Sequence, residues 1–102
     1  MQKHSTGPGA LLEKGLEKLA ATPGGVLVDV REEAEYAAGH LAGSVNLPLS
    51  RLAAADFPAG AALFVYCQAG ARSAKACAAL RRMGWRTENI GGVEGWAGPL
   101  VR

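Results

Sequence analysis

Cys67 closes the apolar run Ala61-Ala62-Leu63-Phe64-Val65-Tyr66 and is followed by Gln68-Ala69-Gly70-Ala71-Arg72-Ser73, where a helical pattern begins. A cysteine acts as a nucleophile in its thiolate form, which is stabilised by helix N-termini and nearby cations. Gln68, Ala69, Gly70 and Ala71 are mostly too small to block access to the backbone, and Gly70 can take a positive φ that curls successive N–H groups toward one point. The start of a helix adds free N–H groups and partial positive charge. An anion-binding bowl around the Cys67 sulfur is therefore expected, able to hold a thiolate, a persulfide anion or an incoming oxyanion. Arg72 would supply a charged fork and Ser73 the first helical turn, with Lys75 a more distant charge. The competing interpretation, an inert cysteine buried at a strand end, does not account for the glycine, the arginine and the helix start together.

Other candidates are weighed the same way. Asp29-Val30-Arg31-Glu32 has the form of a capping box, with Asp29 accepting from first-turn N–H groups and Glu32 reaching back. Asp29 also ends a strand, so it or Arg31 can instead buttress the cysteine loop. Lys75 reads first as part of a solvated helix face, with Arg81 and Arg82 adding only a long-range field. His40 follows Gly39 at a helix end, placed to donate to terminal carbonyls, and is assigned no catalysis. Cys77 lies ten residues beyond Cys67. On a helix that separation is too long for a disulfide, so Cys77 is read as core rather than as a resolving thiol. Trp96 is read as core, with the mouth of the site as its alternative place.

The elements that must position these residues follow from periodicity. Leu12, Leu16 and Leu19 form the apolar stripe of a helix closed by Pro23-Gly24-Gly25. Val26–Val30 is a β-branched run short enough for a buried strand, and Glu32, Glu33 and Glu35 open a helical stretch ending near Gly39. A very short strand is placed around Val45 and a helical piece at Leu49–Ala55. Ala61–Tyr66 is a second continuous strand. Ala76, Cys77, Leu80 and Met83 share one face of the next helix, opposite Arg72, Lys75 and Arg82, and Gly84 stops it. Thr87–Ile90 is read as a last strand, with Gly91-Gly92 turning the chain toward Trp96. Continuous apolar strands alternating with helices indicate an α/β fold, a mostly parallel central sheet flanked by helices on both faces.

At 102 residues and 49% hydrophobic, the chain suits one domain with one core. Residues 1–9 are read as an irregular N-terminal segment. No apolar run approaches the roughly 20 residues of a membrane span, and Met1–Gly9 lacks the apolar stretch of a signal peptide. A soluble, cytoplasmic protein without a membrane partner is expected. Two cysteines and two separated histidines match no disulfide framework and no zinc spacing, so no metal or cofactor is expected. A net charge of +2 does not argue for nucleic acid. Its distribution is more telling: residues 57–87 hold five cations and no acid, placing the positive field on the segment that contains Cys67.

Three segments in order resemble the rhodanese family of sulfurtransferases, and the similarity runs from about Leu11 to Pro99. "LVDVREEAEYAAGHLAGSVNLP" is similar to the first family signature, "VYCQAGARSAKA" to the C-x-x-G-x-R-S active-site loop, and "NIGGVEGW" to the closing Gly-Gly and Trp segment. The resemblance implies a single rhodanese-like domain in which Cys67 forms the persulfide and Gln68, Ala69, Gly70, Ala71, Arg72 and Ser73 cradle it. One departure is that Met1–Gly9 lacks the apolar pair of the family's first strand. The expected activity is transfer of a sulfane sulfur from an anionic donor such as thiosulfate to cyanide or a thiol. The alternative is a sulfur-carrier or docking module that takes persulfide from a partner protein in a sulfur relay. A phosphatase or arsenate reductase is the third reading. It is opposed by the four residues between Cys67 and Arg72, one fewer than the C-x5-R spacing of cysteine phosphatases, because a shorter loop suits one sulfur atom better than a phosphoryl group.

Overall fold

The computed structural model describes residues 9–102. The element order is α1 (Ala10–Ala20), β1 (Gly25–Asp29), α2 (Glu33–Ala38), β2 (Val45–Asn46), a 3₁₀ segment (Leu49–Ala54), β3 (Ala62–Cys67), α3 (Ala71–Arg82) and β4 (Arg86–Gly92). Among the described residues the sheet has four strands in the order β2-β1-β3-β4, and every neighbouring pair is parallel. The N-terminal segment read as irregular, residues 1–9, lies outside the described residues except for Gly9.

Alternation along β1 and β3 divides the core into two layers, because successive side chains of a strand point to opposite faces. Leu27, Phe64 and Tyr66 face the layer that holds Leu12 of α1 and Ile90 of β4. Val28, Leu63, Val65 and Cys67 face the other, with Leu52 of the 3₁₀ segment and Ala76, Cys77 and Leu80 of α3. All six residues of β3 are buried, which is why this run is apolar without interruption. Cys67 is thus the last residue of the central strand, on the face that α3 covers.

Helix ends follow their local chemistry. Gly84, at φ 98°, closes α3: the Trp85 N–H donates to Leu80 O at 3.0 Å and the Gly84 N–H to Arg81 O at 2.9 Å, the paired bonds of a Schellman motif. Met83, placed by its spacing on the buried face, is the C-cap and is 46% exposed, since the chain leaves the helix before a further turn can fold it inward. α2 does start with a capping box, but three residues later than the sequence suggests. Glu32 is the N-cap and Glu35 reaches back to its N–H at 3.0 Å. Asp29 is still in β1, and its carboxylate is occupied by Arg31. Gly91 and Gly92 likewise belong to the end of β4 rather than to a turn after it. Among the described residues no helix is long and apolar enough to cross a membrane.

Candidate functional site

The site forms where β3 ends and α3 begins. Gly70 is the N-cap of α3 at φ 100°, a left-handed conformation that favours glycine. This turn brings the Gly70 N–H to 3.0 Å from Cys67 Sγ and the Ser73 N–H to 3.3 Å. The thiol itself lies 3.4 Å from Ser73 Oγ, to which it donates. Cys67 is 1% exposed, while Gln68, Ala69 and Ala71 form the exposed rim. Burial pushes the Cys67 thiol up. The Ser73 hydroxyl and the N–H groups of Ser73, Gly70 and Arg72 more than offset it, and the pKa ends below that of an ordinary cysteine. The other cysteine has the opposite balance: burial raises the Cys77 thiol, with Thr87 only partly opposing. Cys77 sits in the core, and both cysteines are free thiols.

The loop is held from behind by the segment after β4. Val93 N–H donates to Cys67 O at 3.0 Å and Glu94 N–H to Gln68 O at 2.9 Å. Pairing between β3 and β4 slips between Val65 and Cys67, so that Val65 faces Asn89 but Cys67 faces Gly92. This bulge, beside the candidate nucleophile, gives β4 one extra residue and lets it follow the turning loop. Gly92 is required there: a Cβ would fall inside contact distance of the Gln68 carbonyl, backbone against which little can yield.

Arg72 stands at the rim, but its fork is engaged. Nη1 and Nη2 donate to Glu35 Oε1 and Oε2 at 2.6 and 3.0 Å, a bidentate pair linking α3 to α2. Arg72 holds the Glu35 carboxyl down at about 2. Lys75 is exposed on α3. Asp29 and Arg31 lie at the end of β1, where they form a buried pair. Arg31 Nη2 donates to Asp29 Oδ2 at 2.8 Å and to Gly39 O at 2.7 Å, and the Arg31 N–H donates to Asp29 Oδ1 at 2.8 Å. Burial alone would lower the guanidinium's pKa, yet the Asp29 hydrogen bonds and charge leave it raised. The Arg31 guanidinium carbon sits 5.9 Å from the centre of the Tyr66 ring, the residue before Cys67. Tyr66 Oη in turn accepts from Leu41 N–H at 3.1 Å and lies 3.0 Å from Ser44 Oγ. Burial pushes the phenol up to about 12 despite these bonds, so it stays protonated.

His40 Nδ1 is 2.8 Å from Tyr36 O, the helix-end contact expected from its position. Trp96 packs partly against the α1 layer. The sequence reading did not single out Glu35, Asn89 or Gly92. Glu35 and Arg72 are 37 positions apart, and no local pattern joins them. Gly92 could have been found as the second glycine after a strand that must pass close to another backbone.

The model of the rhodanese-like domain matches residues 11–98. A protein from Allochromatium vinosum described as a sulfurtransferase is 38% identical over 85 residues, covering 79% of each chain. The thiosulfate sulfurtransferase PspE of Escherichia coli is 36% identical over 80 residues, covering 74% of this chain and 77% of its own. Among solved structures, a rhodanese with anions from E. coli superposes with a TM-score of 0.64 at 33% identity, over 76% of this chain and 98% of that one. Motifs, parallel sheet and relatives agree: the chain belongs to the rhodanese-like family of sulfurtransferases.

Proposed function

We propose that this chain transfers a sulfane sulfur from a small anionic donor such as thiosulfate to a thiol or cyanide, with Cys67 as the carrier. The observation behind this reading is the convergence of the Gly70 and Ser73 N–H groups on the Cys67 sulfur at 3.0 and 3.3 Å. In the first half-reaction the Cys67 thiolate attacks the outer sulfur of thiosulfate. A Cys67 S–S bond forms as the bond to sulfite breaks, and sulfite leaves with the electron pair. In the second, cyanide or a thiolate attacks the terminal sulfur and the Cys67 thiolate departs, ready for another cycle. Amides fixed by strand and helix need no reorganisation as charge moves between the Cys67 sulfur and the transferred one.

Gln68, Ala69, Gly70, Ala71 and Ser73 act here mainly through their backbone. Arg72 meets the donor by exchanging Glu35 for it. Asp29 and Arg31 support the loop through Tyr66 and do not touch substrate, and Lys75 contributes charge at the rim. Intact-mass measurement tests the proposal. Thiosulfate should add one sulfur atom, cyanide should remove it, Cys77→Ala should retain it and Cys67→Ser should abolish it. A label on Cys77 refutes the assignment.

A further inference from the structure

Ser73 is completely buried, and its one hydroxyl hydrogen has too many takers. Its Oγ lies 2.7 Å from Asn89 Oδ1, 3.0 Å from Gly70 O, 3.3 Å from Gly91 O and 3.4 Å from Cys67 Sγ. The orientation of the Asn89 amide is fixed by its other contacts. Oδ1 also accepts the Gly91 N–H at 2.9 Å, and Nδ2 lies 3.5 Å from Gly70 O. A flipped amide would set donor against donor at Gly91.

Gly70 O already accepts the Ala74 N–H at 3.1 Å, so the two settings of the hydroxyl that bear on the sulfur are toward Asn89 and toward Cys67. With Cys67 as a thiol, Ser73 gives its hydrogen to Asn89, the shortest of its contacts, and presents a lone pair to the S–H. With Cys67 as a thiolate that lone pair would face a negative charge, so the hydrogen must turn to sulfur and leave Asn89. We infer that Asn89 is a positioning residue that sets the thiol–thiolate balance of Cys67 by competing for the Ser73 hydrogen. This rests on the reading of Cys67 as the sulfur nucleophile. It gives the site a reason to keep an acceptor behind the serine: the thiolate is formed readily but is not held so firmly that it ceases to attack.

The charged groups around Cys67 are the Arg72–Glu35 pair of α3 and α2, the Asp29–Arg31 pair at the end of β1, Lys75 on α3 and the exposed Glu94 after β4. None is altered by a neutral change at Asn89. The test is a pH titration of thiolate ultraviolet absorbance on the Cys77→Ala chain, which leaves one thiol and needs no sulfur donor. Asn89→Ala should lower the Cys67 pKa by about half a pH unit, the size of one redirected neutral hydrogen bond. In a Ser73→Ala background the same change should have no effect. A role confined to bracing the loop predicts the opposite sign, because a loosened Gly91 would spread the amides from the sulfur; a rise in pKa, or a fall that persists without Ser73, overturns the inference. Asn89→Asp provides a second arm that retains the acceptor for Gly91. It should raise the Cys67 pKa, and by less once Ser73 is removed; an equal rise in both backgrounds would also overturn the inference. Sulfur loading, measured separately by mass, tests the nucleophile assignment on its own.

Discussion

Glu35→Gln separates the charge of the Arg72 partner from its geometry. Glutamine keeps an oxygen for the Glu32 N–H, so the capping box survives while the ion pair is lost. Glu35 is 37% exposed and Arg72 34%, and solvent screening keeps such a pair near 0.5 to 1 kcal/mol, roughly the upper half of the range for exposed pairs. The variant should be less stable by about that amount at neutral pH. The sign follows from the direction of the shift. The folded-state pKa of Glu35 is depressed from 4.5 to about 2, so the wild-type advantage is complete above the unfolded value. It fades as pH falls through that window and is gone below about 2. Denaturant unfolding of both proteins across this range measures it. The same number sets the functional effect. If thiosulfate must displace Glu35 from Arg72, removing the competitor returns its cost, and about 0.5 to 1 kcal/mol corresponds to a roughly two- to fivefold rise in kcat/KM for thiosulfate. An uncharged sulfur donor should gain nothing. If kcat/KM for thiosulfate is unchanged or lower while stability falls as calculated, Arg72 stays with α2 throughout and does not recognise the donor.

Gly92→Ala would drive a methyl group into the Gln68 carbonyl; it should cost about 1–3 kcal/mol in stability and reduce sulfur transfer by roughly a hundredfold through a displaced loop, both read from unfolding curves and initial rates. Asp29→Ala leaves the Arg31 guanidinium buried without its carboxylate, a loss of about 3–5 kcal/mol that should lower Tm by roughly 15 °C or more in a calorimetric scan. Wild-type protein should hydrolyse aryl phosphates negligibly. One glycine inserted after Ala69 should reduce thiosulfate turnover while allowing phosphate or arsenate to bind, measured by calorimetry; no gain in oxyanion binding would mean that loop length does not select sulfur.

The parts of the site legible in the sequence are those built from contiguous residues. Cys67, its strand and its helix follow from one apolar run, one glycine and one change of period. Gly70 adopts the positive φ that its place between Cys67 and the helix requires. What surrounds the loop comes from elsewhere in the chain. Glu35 reaches Arg72 only because α2 lies beside the start of α3, and Asn89, on β4 where its register with β3 begins to shift, meets Ser73 on the first turn of α3. Neither relation leaves a local periodicity. Met83 shows the same limit on a smaller scale: helical spacing places it inward, but the Schellman turn ends the helix first.

The capping box shows how a local pattern can be right in kind and wrong in place. Asp29-x-x-Glu32 and Glu32-x-x-Glu35 both satisfy the spacing of an N-cap and its reciprocal partner. Their sequences alone do not separate them. Arg31 decides, because its side chain, 6% exposed, must have a carboxylate, and Asp29, two residues away at the end of a buried strand, is the carboxylate that pairs with it. Once Asp29 is committed to Arg31 it cannot cap, so the helix begins later, at Glu32, and Glu35 becomes the third helical residue. That one-turn choice is what brings the Glu35 carboxylate to Arg72. The buried Asp29–Arg31 pair at the end of β1 thus determines which acid borders the Cys67 loop, a dependence that no single segment of the sequence contains.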